Sequence, residues 1–199
     1  FLPEDLGAFT REHDAIKIDL EEHLSSEVVR AVHEGAADLG ICHLPEGAND
    51  LQSLPYRKDS LVLVVPNGHA LAKHRAVDFV ASLEFDHVGL HTNSSIYVAM
   101  HQAALAANRT IRLRIHVTGL DAMCRMIENG LGVGVMPKKA FELMRGGIGR
   151  GLNSIALNDP WAVREIRLVA RDFTTLPVAA RMLVTHLHAP TGTAAQLAA

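Results

Sequence analysis

The sequence predicts an α/β fold in which helices alternate with strands covered on both faces, and three stretches carry that expectation. From Thr118 to Pro137 the chain reads as a short helix, a glycine stop, a brief apolar strand and a proline. Leu61–Val65 is an unbroken apolar run, the pattern of a strand buried on both faces. Up to residue 43, two helix patterns and two strand patterns alternate with short connections. That order implies parallel strands joined by right-handed crossovers.

The elements follow in order. Phe1, Leu2, Leu6 and Phe9 mark one helical face, with Pro3, Glu4 and Asp5 suited to a first turn. Ile16, Ile18 and Leu20 alternate with Lys17 and Asp19, which predicts a half-buried strand over 15–20. Ser25 and Ser26 are candidate caps for a helix carrying Val28, Val29 and Val32 and stopped by Gly35. Asp38–His43 then reads as a strand. A helix with no strand before it is odd in this scheme, so one more strand is expected ahead of Phe1. Leu61–Val65 is read as a first crossover between lobes, followed by a short helix over 78–83 and a strand over 85–90. A helix reaching about 107 comes next, then a strand alternating Ile111, Leu113, Ile115 and Val117 with a solvated basic face of Arg112, Arg114 and His116.

In the stretch from 118, Thr118 and Asp121 form a capping-box-like start. Leu120, Met123, Cys124 and Ile127 make one apolar stripe, and Asn129-Gly130 ends the helix. Beyond the proline lie a helix over 138–144, a glycine-rich connection over 146–151 and a short strand over 155–157. A return crossover over 164–170 and a helix over 176–188 complete the pattern, and the tail after Ala189 is expected to be disordered.

Composition excludes several classes of function. With 19 basic against 22 acidic residues, the net charge of −3 gives no footprint for gripping nucleic acid. No run approaches eighteen apolar residues, so no membrane span is expected. Cys42 and Cys124 lack CxxC spacing and read as buried inert thiols. Gly130, Gly132 and Gly134 close a helix and enter a strand, the reverse of a dinucleotide-binding fingerprint. No Gly-x-Ser-x-Gly elbow, Walker sequence, HExxH or Cys/His quartet is present, so neither an enzyme nor a metal or cofactor is expected. The pairs His87/His91 and His186/His188 read as surface histidines. Thr92-Asn93-Ser94-Ser95 sits between a strand and a helix start, where free amides and hydroxyls favour an anion such as a carboxylate. Simple N-capping would need only one of these four residues.

Four motifs in order resemble the effector-binding domain of LysR-type transcriptional regulators. They are Leu2-Pro3-Glu4-Asp5-Leu6-Gly7-Ala8-Phe9, Gly35-Ala-Ala-Asp38-Leu39-Gly40-Ile41, the strand ending Pro66-Asn-Gly-His69-Ala70-Leu71-Ala72, and Gly130-Leu-Gly-Val with its following proline. Ala70 replaces the family's usual second proline. The resemblance covers residues 1 to about 188. It implies two Rossmann-like lobes joined by two crossover strands, as in type 2 periplasmic binding proteins. Residues 1–62 with 163–199 would form lobe I, lacking its first strand, and 63–162 lobe II. It also implies a small-molecule effector, a homodimer or homotetramer, a cytoplasmic location, and DNA contact only through an N-terminal winged helix-turn-helix outside this chain. Thr92, Asn93, Ser94, Ser95, Thr118 and the backbone of Val135 and Met136 would face the effector cleft, with His43, just past a strand end, as a further candidate. A periplasmic solute-binding protein of a transporter is the alternative on the same fold.

Overall fold

A computed structural model describes residues 1–44 and 50–188; the tail expectation lies outside them. The chain divides into two compact units, one within Phe1–Arg57 and Glu165–Ala199, the other Lys58–Arg164. Strands β2 (Gln52–Pro66) and β8 (Val163–Ala170) carry the chain across both boundaries.

In unit 1, helix α1 (Leu2–Glu12) has Pro3 in its first turn and buries Phe9 completely. The Asp5 carboxylate accepts from Tyr56 Oη at 2.5 Å and from Arg57 at 2.9 Å, tying α1 to β2. Helix α7 (Val178–His188) buries Val184 and Leu187 in a cluster with Tyr56 and Leu168. His186 and His188 are spent on backbone carbonyls, Nε2 to Asp5 O at 3.1 Å and Nδ1 to Pro55 O at 2.9 Å. Helix α2 (Ser25–Glu34) ends at Gly35 with φ +77°. Its cap is Leu24 and not either serine, because the Glu27 carboxylate reaches back to the Leu24 amide at 3.1 Å. Strand β1 (Gly40–Cys42) follows, and a Cβ on Gly40 would come within 2.7 Å of both Val28 and Val169. The helix therefore packs this closely on the strand only over glycine.

Two expectations fail here. β1 runs antiparallel to β8, with Gly40 opposite Val169, because β8 enters the unit from the opposite direction. Residues 16–24 form no strand among the described residues, and Leu20 is exposed. Alternation supplies a face for a strand, but a ladder also needs a neighbour with free amides and carbonyls.

Unit 2 explains the apolar run in β2. Its residues pair antiparallel with β6 (Gly134–Pro137) and with β7 (Leu152–Leu157), and β7 pairs parallel with β3 (Ala76–Val77). Leu61, Leu63 and Val65, with Val135 and Ile155, pack under Phe79 of helix α3 (Phe79–Ser82) and under Ile96, Met100 and Ala104 of helix α4 (Ser95–Ala106). Val62 and Val64, with Met136 and Leu152, face Met123, Cys124 and Ile127 of helix α5 (Leu120–Glu128) and Phe141 of helix α6 (Lys138–Met144). Both faces are covered, so no position in the run can be polar.

Strands β4 (Asp86–Gly89) and β5 (Arg112–His116) form a separate parallel pair. The glycine turn after α5 stitches β4 to β6: Val88 N donates to Val133 O and Val133 N to Asp86 O, both at 2.8 Å. Gly132 lies at φ +150°, and a Cβ there would sit 2.5 Å from Asp86 O, so the approach requires glycine. Arg112 and Arg114, exposed on β5 as expected, both pair with Asp86.

Cys42 and Cys124 are free, buried and in different units. Burial pushes the Cys42 thiol up to about 11 and the Cys124 thiol upward. His87 departs from the surface reading, being fully buried. Its Nδ1 donates to Phe85 O at 3.1 Å and its Nε2 lies 3.2 Å from the Ser82 hydroxyl. Burial lowers its pKa to about 4, so it is neutral at pH 7.

Candidate functional site

β4 and β5 are parallel neighbours, with Gly89 opposite His116, so the loops that follow them leave unit 2 at one end. Val117 N donates to Gly89 O at 2.9 Å and extends the pairing to the edge of both loops. The carboxyl ends of parallel strands are where α/β folds bind small molecules.

The first loop is organised by its own side chains. Asn93 N donates to His91 Nδ1 at 3.3 Å, and Ser94 N to His91 O at 2.8 Å. This turn buries Ser94 and leaves Thr92 and Asn93 exposed. Ser94 is the N-cap of α4, its Oγ accepting from Tyr97 N at 3.2 Å. Val98 N bonds back to Ser94 O, the first bond of the helix ladder. The amides of Ser95 and Ile96 are therefore helix-start donors without a partner in the helix, and the half-buried Ser95 hydroxyl stands beside them. Those donors lie at the positive end of the α4 dipole.

Thr118 is exposed in the second loop, one residue short of the cap expected of it. Gly119 is the N-cap of α5 and makes no side-chain cap bond. The Asp121 carboxylate lies 2.6 Å from where a Cβ on residue 119 would stand, so the acid folds back over glycine and not towards Thr118. Thr118 thus keeps its hydroxyl free of capping duty.

Val135 and Met136 lie on β6 with buried side chains on opposite faces, opposite Leu63 and Val62 of β2. Met136 Sδ takes the Cys124 thiol at 3.9 Å. Only main-chain groups of these two residues remain for a ligand. His43 belongs to unit 1, half-buried just after β1, with Nδ1 donating to Glu165 O at 3.2 Å. The structure thus brings Thr92–Ser95 and Thr118 together at one end of unit 2 and sets His43 in the other unit.

His91, read from the sequence as a surface histidine, is exposed, but its ring and carbonyl both shape the first loop. The signal for that role was its place, at the head of a polar turn and able to accept an amide. Among the described residues no three His, Cys, Asp or Glu side chains gather as a metal site.

The family model described as the LysR substrate binding domain matches residues 1–190. The chain is 23% identical over 186 residues to an uncharacterized HTH-type transcriptional regulator, YwbI, of Bacillus subtilis (strain 168), covering 94% of this chain and 61% of that protein. It is 24% identical over 143 residues to the RuBisCO operon transcriptional regulator of Allochromatium vinosum, covering 72% and 47%. The chain therefore spans less than two thirds of the length of these curated relatives. Among solved structures, the effector binding domain of QuiR in complex with shikimate superposes with a TM-score of 0.80 at 21% identity, covering 94% of this chain and 88% of that one. The Synechocystis PCC6803 CcmR regulatory domain in complex with 2-PG gives 0.85 at 20% identity, covering 98% and 92%.

Proposed function

We proceed from the premise that this chain belongs to the LysR substrate binding domain family, and we propose that it senses a small polar or anionic metabolite for a transcriptional regulator. Its fold is the mixed α/β fold of those structures, similar to the type 2 periplasmic binding proteins. The observation that carries the reading is the pair of adjacent loops after β4 and β5. There the Ser95 and Ile96 amides, the Ser95 hydroxyl and the Thr118 hydroxyl are spent neither on the α4 ladder nor on a cap. Such donors at a helix start select negative charge or a hydroxyl-rich ligand without needing a cation.

In this reading residues 1–62 with 163–199 form one lobe and 63–162 the other, and the loops after β4 and β5 hold the effector. Val135 and Met136 contribute backbone and His43 an imidazole from the first lobe. Binding biases the lobes and subunits of a homodimer or homotetramer, and DNA is gripped by an N-terminal domain outside this chain in the cytoplasm. Curated relatives named as transcriptional regulators support this over a transport solute-binding protein.

A thermal-shift screen of small carboxylates, phosphates and polyols, with shikimate and 2-PG among them, tests the reading. A stabilising hit whose affinity drops on Ser95→Ala supports it. A hit that leaves the amides of 91–96 and 117–119 unperturbed overturns the assignment of the site.

A further inference from the structure

A second concavity lies wholly within unit 2. It is an open hollow of about 310 Å3, bounded by the turn after β2, the start of β4, Arg114 of β5 and the glycine turn before β6. That volume stands at the lower end of the roughly 300–1,000 Å3 typical of small-molecule sites. Another hollow, around Ser60 and Arg75, holds about 270 Å3 and falls below it.

The lining has two characters. Pro66, Phe85, Leu131 and Val133 supply an apolar wall, continued by Gly130 and Gly132, which offer bare backbone. Gly132 must stay bare, since a Cβ there would strike Asp86 O. The polar side is His69, Asp86 and Arg114. His69 packs edge-on against Phe85 at 4.4 Å between ring centroids, and its Nδ1 accepts from Leu71 N at 3.2 Å. Burial lowers its pKa, so the neutral ring carries its proton on Nε2 and can only donate there. Asp86 lies between two guanidiniums, Arg112 at 3.4 Å and Arg114 at 3.3 Å. Arg112 stands behind the lining with the Glu84–Arg109 pair, and these three arginines and two carboxylates together carry one positive charge in surplus beside the pocket.

We propose that this pocket is a second ligand site, for a small monocarboxylate with a ring or short-chain apolar body. The carboxylate meets Arg114 and the His69 Nε2–H, and the body lies against Phe85 and Leu131. A cationic ligand would find its only lining carboxylate already shared by two arginines, and an uncharged one would forgo the surplus charge. Phe85 and Asp86 open the strand whose far end leads into the Thr92–Ser95 loop, so the two sites sit at opposite ends of β4.

The test is a titration of the whole chain, followed by backbone amide spectra, with benzoate, benzyl alcohol and benzylamine. Benzoate is expected to shift the amides of His69, Asp86 and Gly130–Val133 saturably, and benzyl alcohol to bind at least tenfold more weakly. Arg114→Gln should weaken benzoate at least tenfold with an otherwise unchanged spectrum. Leu131→Phe, which fills the pocket from a half-buried turn position, should do so independently. Ser95→Ala should leave benzoate binding intact, which separates this site from the effector reading. Equal affinity for benzyl alcohol, shifts confined to 91–96 and 117–119, or no saturable shift overturns the proposal.

Discussion

Ser94 and Ser95 differ by one position and by one hydrogen bond. Ser94 caps α4 through Tyr97 N, so Ser94→Ala should lower stability by about 1 kcal/mol, the usual loss for a helix cap. Ser95 caps nothing, so Ser95→Ala should leave the melt within about 0.5 kcal/mol. It should weaken effector binding by up to roughly tenfold, a net hydrogen bond being worth about 0.5–1.5 kcal/mol. Calorimetry beside thermal melts of both variants checks the division. His87 makes the second prediction at this scale. Its folded pKa of about 4 lies below the ordinary value of 6.5. Between those values the unfolded chain binds a proton that the folded one refuses, so stability falls as pH drops from 6.5 towards 4. The slope approaches about 1.4 kcal/mol per pH unit. Urea unfolding at pH 7, 5.5 and 4.5 should show it, and His87→Gln should flatten it while costing stability at pH 7.

At the scale of elements, the turn from α5 into β6 is tightly constrained, with Gly130 at φ +76° and Gly132 at φ +150°. Gly132→Ala would force a non-glycine residue to φ +150° and drive its Cβ into Asp86 O, so a loss of about 2–4 kcal/mol is expected in denaturant unfolding. This turn was also the most legible stretch of sequence, because stripe, glycine stop and proline each have a local cause. The Leu61–Val65 run was legible for a similar reason, since burial on two faces leaves no polar position. What a residue does with a non-local neighbour was not legible. Ile16–Leu20 has the period of a strand and no ladder. β1 meets a strand entering from the other direction. Leu24 caps α2 although serines follow it, because Glu27 reaches back across a turn. The candidate loops were visible as a polar cluster before a helix, whereas the pocket around His69 joins four segments that no spacing rule connects.

At the scale of the whole molecule, unit 2 is one continuous segment set between two separated parts of unit 1. Its ends are pinned together by Asp59 and Arg164, 2.6 Å apart with side chains only 5% and 11% exposed. A segment whose ends already meet, and whose clusters are its own, should fold without the rest. Residues 58–164 expressed alone are expected to unfold cooperatively and to keep the dispersed amide spectrum of that unit; a molten, ANS-binding product would count against it. The Asp59→Asn variant of the fragment should be less stable, since it leaves a buried guanidinium uncompensated. The same nesting sets a timetable during synthesis. Translation ordinarily lets the first-made region fold first. Here the described partner of β1, around Val169, is made more than a hundred residues later, and Leu2 waits longer still for Leu187. Unit 2 can therefore be finished while the residues of unit 1 that precede it still wait for those that follow it.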